Sequence, residues 1–169
     1  MTVLALLRHA EATKQAPGGD HARPLSQAGR GAATAVGERL TQLLPSGTAL
    51  LVSDAARTRE TAALAFPTWE PAHVTIEEAI YEAHPEALLS LLRALPPGLP
   101  GAVLVGHNPG ISVLAALLAA GGPASDPARL AQGLATAEAA LFRFDSDWAG
   151  LAPHACVLVG VLDGKPDQD

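Results

Sequence analysis

The first buried segment of the chain, Val3–Leu7, ends on a charged pair, Arg8 and His9. Five consecutive apolar residues are typical of a strand that is covered on both faces, as in the middle of a parallel sheet. A charge at the end of such a strand needs a partner, because an unpaired buried charge costs free energy. Ligands of open α/β sheets bind at the carboxyl ends of the strands. The pair therefore indicates either an anion site or a polar strand end in solvent, and the residues that follow favour the anion site.

The composition fits one globular domain. The chain has 169 residues with an apolar content of 49%, which is enough for a full core, and no change in composition divides it. We predict a single domain over residues 1–163 and a flexible tail at 164–169. The net charge of -6 and the lack of any lysine or arginine run argue against nucleic acid as a partner.

No segment has the pattern of a leader or a membrane span. The N-terminal apolar run has no basic residue before it and stops at Arg8. The longest apolar helical stretch, Val113–Ala120, is too short to cross a bilayer. We therefore expect a soluble, cytoplasmic protein without a membrane partner. The single Cys156 lies in an apolar run and is predicted to be a buried small side chain rather than a nucleophile.

Apolar segments and amphipathic segments alternate along most of the chain. Further strands are predicted at Ala49–Val52, Val74–Ile76, Ala102–Val105, Ala137–Phe144 and Cys156–Leu162, the last two around a turn at 145–147. Helices are predicted after a cap at Ser26, at Ala55–Ala65, from Pro85 and at Ile111–Ala120, and loops at 12–24, 67–73 and 121–128. This alternation predicts an α/β fold, a three-layer α/β/α sandwich with a mostly parallel central sheet.

Two polar residues are predicted to cap helices. Asp54 stands directly before the helix at residues 55–65, and Asn108, followed by Pro109, stands before the helix at 111–120. Arg57 and Arg59 lie in the first turns of the earlier helix. Cations there oppose the helix dipole, so the two arginines are locally unfavourable unless an anion binds.

Three predicted strands end on polar groups that can bind an anion. Arg8 and His9 follow the first strand, and Ser53 follows the second, with Arg57 one helical turn later. His107 follows a third strand. If these strands are neighbours in a parallel sheet, their carboxyl ends converge. Guanidinium groups match phosphate oxygens and helix N-termini favour anions, so the pattern predicts a phosphate site.

Four segments, in this order, resemble motifs of the histidine phosphatase superfamily, which has the phosphoglycerate-mutase-like fold. Residues 7–11 (LRHAE) are similar to its Arg-His-Gly signature. Residues 20–26 (DHARPLS) with Gly29 resemble the Arg-Pro-Leu-Thr segment of its small SixA-like branch, the phosphohistidine phosphatases. Residues 53–62 (SDAARTRETA) resemble its Ser-Pro-x-x-Arg-x-x-Gln-Thr-Ala helix start, and residues 105–110 (VGHNPG) its second histidine motif. The chain departs from the commoner pattern at Ala10, Asp54 and Glu60, in place of Gly, Pro and Gln.

The resemblance implies a role for each matching residue. His9 would be the nucleophile, attacking phosphorus to form a phosphohistidine that water then hydrolyses. Arg8, Arg57 and His107 would bind the phosphoryl oxygens and stabilise the charge of the transition state. Arg23 would be a further phosphate contact. The resemblance implies no cofactor and no metal, and the sequence has no His-x-His, His-x-x-x-His or glycine-rich nucleotide motif.

The proton donor is the open point. An oxygen leaving group needs a general acid, and Glu82 lies where family members with such an acid carry a glutamate. The alternative is a solvated residue before the helix at Pro85. If the substrate is a phosphoramidate such as phosphohistidine, the leaving imidazole can already carry its proton, and a strong acid matters less. His84 is predicted to be a surface residue rather than a ligand or base.

The short loops favour a phosphohistidine-bearing protein as the substrate, because they leave little chain to enclose a small molecule, whereas a protein loop can enter an open cleft. Two other functions stay open. One is a phosphomonoesterase for small phosphate esters, which would depend on Glu82, and the other is a non-catalytic phosphate-binding module on the same fold. A mutase is disfavoured, because it must keep the phosphoryl group from water. The pattern predicts no particular oligomeric state.

Overall fold

A computed structural model describes residues 1–70, 73–121 and 126–166. A six-stranded sheet crosses these residues in the order β3-β2-β4-β1-β5-β6. The first four strands are parallel to one another, and β5 is antiparallel to both β1 and β6. The mostly parallel sheet predicted from the sequence is therefore confirmed. The strands are β1 Thr2–Arg8, β2 Ala49–Val52, β3 Val74–Ile76, β4 Gly101–Gly106, β5 Ala139–Phe144 and β6 Val157–Leu162.

Helices cover both faces of the sheet. They are α1 Gln27–Thr41, α2 Ala56–Ala65, α3 Pro85–Arg93, α4 Gly110–Leu118 and α5 Pro127–Ala131. The first two pack together on one face, and α3 and α4 pack on the other with α5 beside α4. Short 3-10 turns lie at Asp20–Ala22, Glu78–Ile80 and Trp148–Gly150. The three-layer α/β/α sandwich is confirmed.

Strand β1 separates two apolar cores. Leu4 and Leu6 belong to the core under α3 and α4, whereas Ala5 and Leu7 belong to the core under α1 and α2. All four side chains are fully buried, because alternate residues of a strand point to opposite faces. This double coverage explains the continuous apolar run that opens the sequence.

The start of α1 follows the sequence prediction. Ser26 caps the helix by accepting a hydrogen bond from the Gly29 amide at 3.0 Å. A Cβ on Gly29 would lie 2.0 Å from the Glu11 carbonyl oxygen, so only glycine allows this approach. The first turn of α1 is thereby held against the segment that follows β1.

Two predicted caps are wrong, because the side chains concerned have tertiary partners. The N-cap of α2 is Ala55, not Asp54, and the Asp54 carboxylate lies against His21 instead. The N-cap position of α4 is Pro109, which follows a cis peptide bond, and neither it nor Asn108 caps the helix amides. The Asn108 side chain instead donates to the Leu134 carbonyl and accepts from a serine of α4, Ser112.

Four further predictions are tested only in part by the described residues. Helix α5 occupies the end of the predicted loop at 121–128, and residues 122–125 of that loop lie outside the described residues, as do residues 71–72 of the loop at 67–73. The turn at 145–147 continues into a 3-10 turn with a buried Trp148.

The predicted tail at 164–169 is described in part. Residues 167–169 lie outside the described residues, whereas the Lys165 carbonyl accepts a hydrogen bond from Arg39 at 2.7 Å. Across the described ranges, no helix combines the length and apolarity needed to cross a membrane.

Candidate active site

The carboxyl ends of β2, β4 and β1 lie side by side at one edge of the sheet. The His9 amide donates to the carbonyl of Gly106 at 3.1 Å, and the Ser53 amide donates to the carbonyl of Val105 at 3.1 Å. The residues after each strand are thus held by its neighbour in the sheet, and His107 follows the strand between them. The structure brings together the polar strand ends that the sequence singled out.

His9 is held as a neutral imidazole. Its exposed fraction is 7%, and its Nδ1 lies 2.7 Å from the Ala10 carbonyl oxygen. A carbonyl can only accept, so Nδ1 carries the ring proton and Nε2 keeps its lone pair. Burial lowers the pKa of His9 to about 4, and the positive charges of three nearby arginines add to this effect. These are Arg57, Arg8 and Arg23.

His107 lies beside His9, with the ring centroids 5.3 Å apart. Burial lowers its pKa to about 3, and the charge of Arg57 contributes. Its Nε2 is 2.8 Å from the hydroxyl of Ser53, which also lies 3.5 Å from the Ala55 amide and can accept from it. When the serine hydroxyl donates to Nε2, the ring proton of the neutral His107 lies on Nδ1.

Three buried nitrogen atoms at this edge have no hydrogen-bond partner within the described part of the chain. They are Nε of Arg8, Nε of Arg57 and Nδ1 of His107. An unpaired buried donor costs about 1–3 kcal/mol, so such atoms mark a place where a ligand completes the hydrogen bonding. Three N–H groups beside a neutral imidazole suit an anion with several oxygens, such as a phosphoryl group.

The outer nitrogens of Arg57 are bound by one residue, Asp20. Arg57 Nη1 donates to the Asp20 carbonyl at 2.9 Å and Nη2 to its carboxylate at 3.2 Å. The guanidinium carbon lies 5.9 Å from the centre of the Tyr81 ring. Buried threonines hold this first turn of α2, since Thr58 donates to the Ser53 carbonyl at 2.8 Å and Thr61 accepts from the Ala10 amide at 3.0 Å. Asp20 therefore holds the Arg57 guanidinium, and the buried threonines hold the helix turn that carries it.

Asp20 also holds Arg23. Arg23 Nε donates to Asp20 Oδ1 at 3.0 Å, and its Nη1 donates to the Thr13 carbonyl at 2.8 Å. The hydroxyl of Tyr81 donates to Asp20 Oδ2 at 2.5 Å. This hydrogen bond, with the help of the arginine charges, lowers the pKa of Asp20 to about 2, although burial acts against it. The structure places Arg23 close enough for its charge to act on His9.

Arg8 reaches toward the other side of the sheet. Its Nη1 donates to the Leu134 carbonyl at 3.0 Å, in the segment before β5. Burial lowers the pKa of Arg8, and the negative charge of Glu138 opposes the shift. The two arginines that lie nearest the strand ends are thus anchored by different segments of the chain.

The structure places Glu82 at the rim. Its side chain is exposed, its φ of 53° is left-handed, and within the described residues it makes no hydrogen bond or ion pair. It follows Tyr81, whose pKa its charge helps to raise, after the larger effects of the Asp20 hydrogen bond and of burial. His84, the residue before α3, is exposed, as predicted. Cys156 is fully buried, which raises its pKa to about 12 and fits the predicted unreactive thiol.

Sequence reasoning gave no role to two residues of this cluster, Asp20 and Tyr81. Asp20 belongs to the second family-like segment, but its partners Arg57 and Tyr81 lie 37 and 61 positions away. No local pattern carries that information; the one local signal is that Tyr81 directly follows the buried Ile80, at the end of the 3-10 turn after β3. No group of three histidine, cysteine or carboxylate side chains suited to a metal occurs in residues 1–70, 73–121 and 126–166.

Comparison with known proteins agrees with this geometry. The family model of the histidine phosphatase superfamily (branch 1) matches residues 4–91. The chain belongs to this superfamily. It is therefore a phosphatase, a hydrolase with a histidine nucleophile.

Proteins of similar length resemble the chain over nearly all of it. An uncharacterized protein of Mycobacterium tuberculosis (strain H37Rv) is 31% identical over 156 residues, which are 91% of this chain and 97% of that protein. A solved structure from Nakamurella multipartitia, assigned as a phosphohistidine phosphatase SixA, is 30% identical with a TM-score of 0.83 and covers 95% of this chain and 94% of that one. One from Agrobacterium tumefaciens with the same assignment is 30% identical with a TM-score of 0.72, covering 85% and 92%.

Proposed function

We propose that this phosphatase removes phosphoryl groups from phosphohistidine on proteins and that His9 is its nucleophile. One observation carries the proposal: a buried imidazole with its proton fixed on Nδ1 lies beside three unpartnered nitrogen donors. The first group can attack phosphorus and the others can bind the oxygens around it.

The reaction follows from the contacts of each group. His9 Nε2 attacks phosphorus in line with the leaving group, and a phosphohistidine forms on the enzyme. Arg8 and Arg57 donate from Nε and His107 donates from Nδ1 to the three outer oxygens, where the charge of the transition state is spread. Arg23 adds positive charge from the loop side. Water then cleaves the phosphohistidine and releases phosphate.

The substrate class is supported by the openness of the site. Strands β2 and β4 are each joined to the following helix by three residues and β3 by eight, so these three connections leave little chain for a lid. The longer connection after β1, residues 9–26, supplies Arg23 and the rim residue Asp20. The rim residues Asp20 and Glu82 are exposed. A protein loop that carries phosphohistidine can enter such a site, whereas a small molecule gains little from so few walls. Two structural relatives with 30% identity carry the SixA phosphohistidine phosphatase assignment.

The test is a comparison of substrates with metal chelated. We expect kcat/KM for phosphate release from a phosphohistidine-bearing protein to exceed kcat/KM for small phosphate monoesters, both in EDTA. The same protein carrying phosphoserine is the matched control. Faster turnover of the small esters would overturn the protein substrate and favour a phosphomonoesterase. Binding of inorganic phosphate with no release from any substrate would show a binding module instead.

A further inference from the structure

His21 and Asp54 form a pair at the rim of the site that the mechanism above leaves unused. His21 Nε2 lies 2.9 Å from Asp54 Oδ1, an ion-pair contact that is not aligned as a hydrogen bond, since Oδ1 has no hydrogen-bond partner within the described residues. His21 belongs to the 3-10 turn after the loop that follows β1, and Asp54 lies between β2 and α2. The pair therefore joins two of the segments that also supply Asp20 and Arg57.

A row of four rings leads from the buried nucleophile to this pair. His9 and His107 are 5.3 Å apart, His107 and Tyr81 are 5.4 Å apart, and Tyr81 meets His21 edge-on at 4.8 Å, all between ring centroids. The exposed fraction is 7% at His9 and 47% for the side chain of His21. The unpartnered donors place the phosphoryl group at the buried end of the row. Because substrate enters from solvent, its leaving group extends toward the exposed end.

The other titratable groups of this rim either hydrogen-bond to neighbouring side chains or, like Glu82, are exposed without a polar partner among the described residues. Asp20 accepts from Tyr81, Arg57 and Arg23, and the pKa of about 2 keeps it ionised. The Tyr81 hydroxyl donates to Asp20 and the Nε2 of His107 faces Ser53. His21 is the rim group of the described residues that combines a carboxylate partner on one ring nitrogen with a second nitrogen left for a ligand. Histidine is also the side chain that takes up and releases protons near neutral pH.

We propose that His21, oriented by Asp54, gives a proton to the leaving group and then takes one from the attacking water. The inference rests on the proposed phosphatase reaction. In the first step the bond from His9 Nε2 to phosphorus forms, the bond to the leaving atom breaks, and that atom receives the proton from His21 Nδ1. In the second step water oxygen bonds to phosphorus, His21 Nδ1 takes the water proton, and the bond from phosphorus to His9 breaks. His21 is again protonated when phosphate leaves.

Asp54 acts through His21 and is a positioning residue. A carboxylate beside one ring nitrogen fixes the orientation of an imidazole and leaves the other nitrogen to the substrate. The groups that face His21 from the packed elements are Asp54, Tyr81 and, one ring further, His107, whose pKa the charge of His21 helps to lower. A positive charge on His21 thus acts within the site and not only in solvent.

The experiment varies the leaving group. We compare kcat/KM for phenyl phosphate, whose phenolate needs a proton, with kcat/KM for p-nitrophenyl phosphate, whose leaving group departs without one. We expect His21→Gln to lower the phenyl phosphate value about 100-fold, the usual contribution of a general acid, and to change the other value little. Asp54→Asn should give a smaller loss with the same dependence on the leaving group. His84→Gln, which removes an exposed histidine before α3, is the matched control and should change neither value.

Other outcomes separate this inference from the proposed function. Equal losses on both esters in His21→Gln would show a structural ion pair that only holds the loop, and no loss on either would show no role; both results overturn the inference. Inorganic phosphate should bind His21→Gln as tightly as wild type, which checks that the anion site is intact. A wild-type protein that hydrolyses neither ester nor a phosphohistidine protein would overturn the proposed function itself.

Discussion

The hydroxyl of Ser53 lies 2.8 Å from Nε2 of His107, across 54 positions of sequence. The two residues follow neighbouring parallel strands, β2 and β4, so the pairing of those strands sets the distance. When the serine hydroxyl donates in this contact, the ring proton of His107 lies on Nδ1. The nitrogen left without a partner is then a donor and can bind a phosphoryl oxygen.

Ser53→Ala removes this hydrogen bond and leaves Nε2 of His107 buried without a partner. We expect kcat/KM to fall about tenfold, because a lost buried hydrogen bond is worth about 1–3 kcal/mol and tenfold corresponds to about 1.4 kcal/mol. Steady-state kinetics on a phosphohistidine protein measures the change. Ser90→Ala, on the exposed side of α3, is the control and should be silent. An unchanged kcat/KM in Ser53→Ala would contradict the role given to the serine.

Asp20→Asn tests the residue that holds both Arg57 and Arg23. The variant keeps the size of the side chain but loses the charge that binds the two guanidinium groups. We expect kcat/KM to fall about 10- to 100-fold, because displacement of a group that contacts the reacting centre has costs of this order. Asp145→Asn, in the exposed connection after β5, is the control. Tighter binding of inorganic phosphate by Asp20→Asn would instead show that the carboxylate competes with the anion.

Glu82→Gln tests the acid predicted from the sequence. The carboxylate is exposed and has no polar partner within the described residues, so we expect kcat/KM to stay close to the wild-type value on both phenyl phosphate and p-nitrophenyl phosphate. His21→Gln, assayed in parallel, provides the comparison. A loss of about 100-fold on phenyl phosphate alone in Glu82→Gln would establish Glu82 as the general acid and remove the need for His21.

The site should make the fold less stable in acid. The pKa values of His9 and His107 are lowered from 6.5 to about 4 and about 3 by burial, so the unfolded chain binds more protons than the folded chain as the pH falls below about 6.5. The contribution of these two histidines to the free energy of unfolding is therefore fully present above that pH and is lost between about 6.5 and 3. Urea unfolding at pH 7.5, 6 and 5 measures the slope. His9→Gln should flatten it and His84→Gln should not; equal slopes in all three proteins would contradict the account.

The sequence predicts the residues that contact the phosphoryl group better than the residues that hold them in place. Arg8, His9 and His107 could be found because each directly follows an apolar run, and strand ends meet at one edge of a parallel sheet. Arg57 could be found because it lies in the first turn of a helix that follows such a run. The sandwich itself follows from the alternation of apolar and amphipathic segments.

The contacts that orient those groups depend on tertiary structure. Tyr81 reaches Asp20 across 61 positions, and no local pattern signals that distance. Asp54 has the sequence position of a helix cap, but its carboxylate lies against His21, which a local rule cannot foresee. Asn108 also has the position of a cap, but its side-chain amide donates to the Leu134 carbonyl before β5 instead. Caps compete with tertiary partners, and only the fold decides between them.

The proposed mechanism requires the phosphoryl group to pass through His9. The most direct measurement is a rapid acid-free quench of the enzyme with phosphorylated substrate in EDTA, followed by mass spectrometry of its peptides. We expect an acid-labile, alkali-stable phosphate on His9 that forms and decays during turnover and is absent in His9→Ala, which releases no phosphate. Phosphate on another residue, or full turnover by His9→Ala, would contradict it.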